Sequence, residues 1–128
     1  MGQVKYVLGF VLCFLYIQLS FILCTRMKLP TDPIILELLP EFLDDWNQQL
    51  EANFMSYVNA HDEHEVYRIG HTLKGSCYQF GLDDIAQMGI TLMTHARAHD
   101  WANAQAMYDP IKNAFLSATE EVKIKLNL

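Results

Sequence analysis

From residue 41 onward, apolar side chains recur at steps of three and four residues, with acidic and amide side chains between them. This spacing places the apolar side chains on one face of an α-helix. The first long run predicts a helix of about five turns, with the apolar positions Phe42, Leu43, Trp46, Leu50, Phe54, Tyr57 and Val58. A short helix through Ile34, Ile35 and Leu38 precedes it, and Pro40 either limits that helix or lies in the first turn of the next.

A third segment is predicted to be helical from about Glu63 to Gln79. Asp62 followed by Glu65 resembles a capping box, in which each side chain satisfies a backbone N–H at the start of the helix. Gly81 is predicted to end the segment, since glycine readily adopts the left-handed conformation that closes many helices.

Two further amphipathic segments complete the chain. One begins at Asp83 or Asp84, and in the last one Pro110 predicts either a kink or a start delayed to Asp109. No stretch alternates between apolar and polar residues as a strand does. The expected fold class is therefore all-α: an antiparallel up-and-down four-helix bundle with a short N-terminal capping helix.

Residues 6–24 form a stretch of 19 residues without charge, close to the ~20 that a helix needs to cross a bilayer. Arg26 and Lys28 follow it, which favours leaving the C-terminal part in the cytoplasm, whereas Lys5 opposes that orientation. We expect an uncleaved anchor in the inner membrane. A cleaved secretory signal and an extension upstream of a start at Met27 are the alternatives. The domain division is then 1–28 for this segment and 29–128 for the helical domain.

The net charge and the spacing of the cysteines narrow the range of possible functions. All 15 acidic residues but only seven of the nine basic ones fall within residues 27–128, which leaves a net charge of −8 there. Nucleic-acid binding through the overall field is excluded, because it requires clustered Lys and Arg. The spacing of Cys13, Cys24 and Cys77 fits neither a zinc site nor a redox pair. His95 and His99 have a spacing that can bind a metal, but no third ligand is evident, so no metal is predicted.

The third helix has two different faces when its residues are placed at ~100° per residue. The core face comprises Val66, Ile69, Leu73, Cys77 and Phe80. The opposite face comprises His64, Tyr67, Arg68, His71, Lys74, Gly75 and Tyr78. His71 is therefore expected to face solvent, with basic side chains about one turn away on either side.

This arrangement suits phosphoryl chemistry. A neutral imidazole is a nucleophile, and Lys74 and Arg68 can stabilise the charge that a phosphoryl group adds to His71. Gly75 costs roughly 1 kcal/mol of helix stability relative to alanine, so its presence on an exposed face favours close approach by another molecule. A partner is expected to dock on the aromatic and imidazole side chains of that face, Tyr67, Tyr78 and His64. The competing interpretation is an ordinary solvated histidine between two bases.

The run from Arg68 to Ser76 reads RIGHTLKGS and is followed by Phe80-Gly81 and a new helix. It resembles the signature of the histidine-phosphotransfer (HPt) family. The resemblance implies that His71 is the phosphoacceptor, that Lys74 contacts the phosphoryl group and that Gly75 keeps the histidine accessible.

The sequence departs from the family pattern in two places. Gly70 stands where alanine is frequent, a change without effect on the chemistry. Cys77 and Tyr78 follow Ser76 where small residues are frequent, and the bulk of Tyr78 is expected to narrow the range of receivers that dock.

The resemblance further implies a relay function in a two-component system. His71 would accept a phosphoryl group from a receiver-domain aspartate and pass it to another receiver, with a hybrid sensor histidine kinase upstream. The receiver would supply Mg²⁺, so no cofactor is expected in this monomeric domain. No Gly-rich phosphate loop follows a strand, which excludes an autonomous kinase. The alternative is a non-catalytic helical module that binds receivers or other proteins at the membrane.

Overall fold

The computed structural model describes residues 29–127, and every regular element in that range is helical. In chain order the elements are α1 (Pro33–Gln49), a π-helical turn (Leu50–Phe54), α2 (Met55–Asn59), α3 (Glu63–Gln79), α4 (Asp83–Arg97), α5 (Trp101–Ala106) and α6 (Tyr108–Lys125). The predicted anchor at 6–24 lies outside the described residues. Within 29–127, no helix is both long enough and apolar enough to cross a membrane.

Four long helical stretches form the bundle: residues 33–59, α3, α4 and α6. The first two connections are short turns, residues 60–62 and 80–82, which make the helices that they join antiparallel neighbours, and the third connection contains α5. The α3–α4 pair has the most extensive packing, and α1 packs against α6. The largest fully buried side chains come from all four stretches: Phe54, Phe115, Leu39, Leu43, Leu50, Leu73, Leu92 and Ile111. The predicted all-α bundle is confirmed.

Helix α1 continues through Pro40 instead of stopping there. Asp32 caps its start by accepting a hydrogen bond from the Ile34 N–H at 2.9 Å. Pro40 has no N–H to donate within the helix. Leu39 and Leu43 on either side of it are fully buried, so packing of one face holds the helix across the proline. The predicted capping helix is therefore the first part of α1 and not a separate element.

The turns around α3 follow the predicted signals with one difference. Asp62 Oδ1 accepts a hydrogen bond from the Glu65 N–H at 3.1 Å. The Glu65 side chain contacts Arg68, and the Asp62 N–H donates to the Tyr57 carbonyl, so only half of the capping box forms. Gly81, with a φ of 76°, ends α3 as predicted.

The last predicted segment is divided into two helices. Asp100 caps α5, which ends after six residues, and α6 begins at Tyr108. Pro110 thus lies in the first turn of α6, where a backbone N–H would lack an intrahelical partner in any case. The expected delayed start is found, one residue before Asp109.

Helices α3 and α4 touch backbone to backbone at two glycines, both buried. A Cβ atom built on Gly70 would lie 2.6 Å from the carbonyl oxygen of Gly89, and one on Gly89 would lie 2.7 Å from the carbonyl oxygen of Gly70. Neither position can hold a larger residue unless a backbone moves. Gly70 therefore sets the separation of the two helices one residue before His71.

We expect Gly70→Ala to lower the free energy of unfolding by about 1–3 kcal/mol, because the added methyl group overpacks a contact with backbone. Gly75→Ala is the matched control on the same helix. A Cβ there meets nothing within 4 Å, so this variant is expected to gain up to about 1 kcal/mol from helix propensity. Chemical denaturation of the two variants measures both effects, and equal shifts would contradict the assignment of Gly70 as a packing glycine.

Candidate functional site

His71 lies near the middle of α3 with its side chain exposed. Its ring faces the Tyr67 ring, with the centroids 6.4 Å apart and the planes inclined by 24°. Among residues 29–127, no side chain or backbone group hydrogen-bonds to the imidazole. Both ring nitrogens are therefore unengaged by the described part of the chain, as a nucleophile requires.

Lys74 and Gly75 occupy the next turn of the same face, and both are exposed. Within the described range, the Lys74 ammonium makes no ion pair. The space that a side chain on Gly75 would fill is open. An approaching group therefore meets an exposed positive charge and open space at Gly75 beside His71.

Arg68 is exposed one turn before His71, but its guanidinium is already paired. Its Nη2 and Nε donate to Oε2 of Glu65 at 2.6 and 3.0 Å. The hydrogen bond from Arg68 holds the pKa of the Glu65 carboxyl below its ordinary value, and the same bond raises the pKa of Arg68. The Arg68 guanidinium is therefore less available to an incoming phosphoryl group than the Lys74 ammonium.

Arg97, which the sequence analysis does not select, contacts this face from α4. Its guanidinium carbon lies 4.2 Å from the centroid of the Tyr67 ring, within cation–π range. Tyr67 is half-buried, and its ring neighbours both this cation and the His71 ring. The sequence alone does not single out Arg97, because basic residues are common in the last turn of a helix, where they interact favourably with the helix dipole.

The two remaining predicted docking residues lie toward the ends of the face. His64 is in the first turn of α3, where its Nδ1 is 3.3 Å from Oε1 of Glu65. Tyr78 is in the last turn, 41% exposed, and its hydroxyl accepts a hydrogen bond from Gln87 Nε2 at 2.6 Å. Tyr67, His71, Lys74 and Gly75 form the centre of the face.

His95 and His99 contact different carboxylates. His99 Nε2 is 2.6 Å from Glu63 Oε2, while His95 Nδ1 is 3.9 Å from Asp100 Oδ2. Residues 29–127 contain no group of three or more side chains that could hold a metal ion.

Cys77 is on the core face of α3, as predicted, and is fully buried. Desolvation raises the pKa of its thiol to about 12. The thiolate, which is the reactive form, is therefore suppressed in the folded protein.

Cys77 is expected to resist alkylation by iodoacetamide at pH 8 in the native protein and to react in denaturant. Because the folded-state pKa is raised, the contribution of this thiol to stability is intact below the pKa of an unfolded cysteine, about 8.5. It is lost as the pH rises from there toward 12. Mass spectrometry of the peptide containing Cys77 follows the labelling, and rapid labelling of native protein would contradict the burial.

The described residues form a four-helix bundle with an exposed histidine, and a lysine and an open glycine follow that histidine by one turn. This is the architecture of a phosphoryl-carrier module. A family model described as the Hpt domain matches residues 34–123, more than two thirds of the chain. The chain therefore belongs to the Hpt domain family, whose members take part in histidine phosphotransfer in phosphorelays and interact with receiver domains. Neither the curated proteins nor the solved structures include a significant match.

Proposed function

We propose that His71 accepts a phosphoryl group from the aspartyl phosphate of one receiver domain and passes it to the aspartate of another. The observation that carries the proposal is the setting of His71: an exposed imidazole without hydrogen-bond partners in the described residues, beside Lys74 and the open space at Gly75. The position of this histidine inside the matched family region supports the same assignment.

In the forward step, a neutral ring nitrogen of His71 attacks the phosphorus of the receiver's acyl phosphate. The N–P bond forms as the P–O bond to the aspartate breaks, and the aspartate leaves as a carboxylate. The other ring nitrogen carries the proton, which can pass to solvent. Attack by an aspartate of a second receiver reverses these changes. Positioning and charge stabilisation supply most of the catalysis in such a transfer.

Lys74 is the cation that stabilises the transferred group in this proposal. A phosphoryl group adds negative charge and strong acceptor oxygens, which an ammonium one turn away can reach. Arg68 would have to exchange its Glu65 partner for the phosphoryl group, and the gain is offset by the lost ion pair. We assign Lys74 the larger role for this reason.

The receiver is proposed to contribute Mg²⁺ and the acidic pocket, and a hybrid sensor histidine kinase to feed the relay. A charged metal–carboxylate site on the partner complements the basic and open surface around Lys74 and Gly75. We also propose that the domain works on the cytoplasmic side of the inner membrane. That location and the anchor at 6–24 rest on the sequence of the N-terminal segment alone.

Incubation with a phosphorylated receiver is expected to give acid-labile, base-stable label on the wild-type chain and none on His71→Gln. Glutamine retains polarity but has no nucleophilic ring nitrogen. His95→Gln, which alters a histidine of α4 that is not among the predicted docking residues, is the control and is expected to keep the label. Equal labelling of His71→Gln and wild type would refute the proposal and leave a binding module without phosphotransfer.

Lys74→Ala is expected to slow transfer by about tenfold, which corresponds to loss of one charge-assisted hydrogen bond in the transition state. Arg68→Ala is expected to change the rate by less than about threefold, because its guanidinium is held by Glu65. Lys123→Ala, an exposed lysine on α6, controls for loss of one positive charge. Rapid-quench measurement of receiver dephosphorylation gives the rates. A larger loss for Arg68→Ala than for Lys74→Ala would reverse the assigned roles.

A further inference from the structure

Tyr78 is a large, part-apolar side chain on the face that carries His71. It follows His71 by seven residues, which is two helical turns and a rotation of only ~20°. Tyr78 is 41% exposed, which makes it one of the few large hydrophobic residues within 29–127 that are exposed. The others, Ile34, Leu38, Leu116 and Ile124, are on α1 and α6.

Gln87 fixes this ring from the neighbouring helix. Its Nε2 donates to the Tyr78 hydroxyl at 2.6 Å, although both side chains are at the surface. An exposed tyrosine without such a partner samples several rotamers. The hydrogen bond between α3 and α4 favours one of them, so the orientation of the ring is largely set before any partner arrives.

The ring belongs to the same face of α3 as His71, two helical turns further along. Side chains on a helix lean toward its N-terminus, so a residue covers the surface of the preceding turn. For Tyr78, that turn contains Lys74 and Gly75. A Cβ atom on Gly75 would meet no atom within 4 Å, so the ring does not fill the open space there.

We propose that Tyr78, held in place by Gln87, determines which receivers can use His71. A receiver with a small side chain opposite the ring can pack against it, and one with a bulky side chain there is excluded by overlap. Such a repulsive element raises specificity without strengthening the preferred complex. The fixed ring also lowers the entropy lost on docking. This inference rests on the proposed phosphotransfer function and assigns Gln87 as a positioning residue.

The experiment compares two phosphoryl sources for the full chain. The first is a panel of the phosphorylated receiver domains encoded by the same genome. The second is phosphoramidate, a small donor that transfers a phosphoryl group to imidazole without a docked protein. The variants are Tyr78→Ala, Tyr78→Phe and Gln87→Leu. Gln105→Leu, which alters an exposed glutamine on α5, is the matched control. Thermal melts by circular dichroism verify that each variant is folded.

Tyr78→Ala is expected to raise transfer from receivers that react poorly with wild type by about tenfold or more, with phosphoramidate labelling unchanged within about twofold. Tyr78→Phe and Gln87→Leu keep an aromatic ring at position 78 but remove its hydrogen bond to residue 87. Because the ring must then be ordered on docking, transfer from the preferred receiver should fall by about twofold to tenfold. Gln105→Leu should match wild type in every assay.

The two proposals fail in different ways. An unchanged ranking of receivers for Tyr78→Ala, or wild-type rates for Gln87→Leu with the preferred receiver, would overturn the specificity role while phosphotransfer stands. If no receiver labels wild-type His71, the proposed function fails, and the specificity role fails with it. If a variant changes phosphoramidate labelling by the same factor as labelling by receivers, the specificity role is also overturned. The effect would then lie in the reactivity of His71 and not in docking.

Discussion

The contact between Gly70 and Gly89 sets the geometry of the whole functional face. Two backbones approach there at a distance that admits no Cβ atom. The approach brings α4 close enough for Arg97 to lie on the Tyr67 ring and for Gln87 to reach the Tyr78 hydroxyl. His71 follows Gly70 directly on the outer side of the same helix. The surroundings of His71 thus depend on a buried packing contact made by the residue that directly precedes it.

The glycines of α3 have opposite physical roles five residues apart. Gly70 is buried and required by packing, whereas Gly75 is exposed and touches nothing. At Gly70 the loss of helix propensity is offset by close packing of two helices. At Gly75 no contact in the described structure offsets it, which agrees with the proposed approach of a receiver to this position. A residue that lowers stability without an internal gain is typical of functional positions.

Local signals in the sequence predicted most of the helical framework. Asp62, Gly81 and the apolar spacing of α3 act within a few residues, so they predicted the limits of that helix and its buried face. The candidate site residues Tyr67, His71, Lys74 and Gly75 could be proposed in the same way, because one helix carries them all and the structure exposes His71, Lys74 and Gly75 as expected; their roles stay predictions. Contacts between helices were beyond such reasoning: the pairing of Gly70 with Gly89 and the approach of Arg97 depend on how α3 and α4 cross. Gly70 looked like a neutral departure from a family pattern, although it has a packing role. The continuity of α1 through Pro40 was missed for a similar reason, because burial of Leu39 and Leu43 outweighed a local helix breaker.

The π turn at Leu50–Phe54 keeps the first long helix in phase with the core. Trp46, Leu50, Phe54 and Val58 follow one another at steps of four and are all buried. In an α-helix each such step overshoots a full turn by ~40°, so three steps would rotate the apolar stripe by about a third of a circle. A π turn holds more residues and takes up this drift. The chain therefore carries one residue more than a regular helix would need to span the same height. Deleting that residue would leave the composition of the helix almost unchanged, but it would rotate all side chains before the deletion about the helix axis and out of register with the core. This segment is therefore expected to tolerate a substitution far better than a change in length.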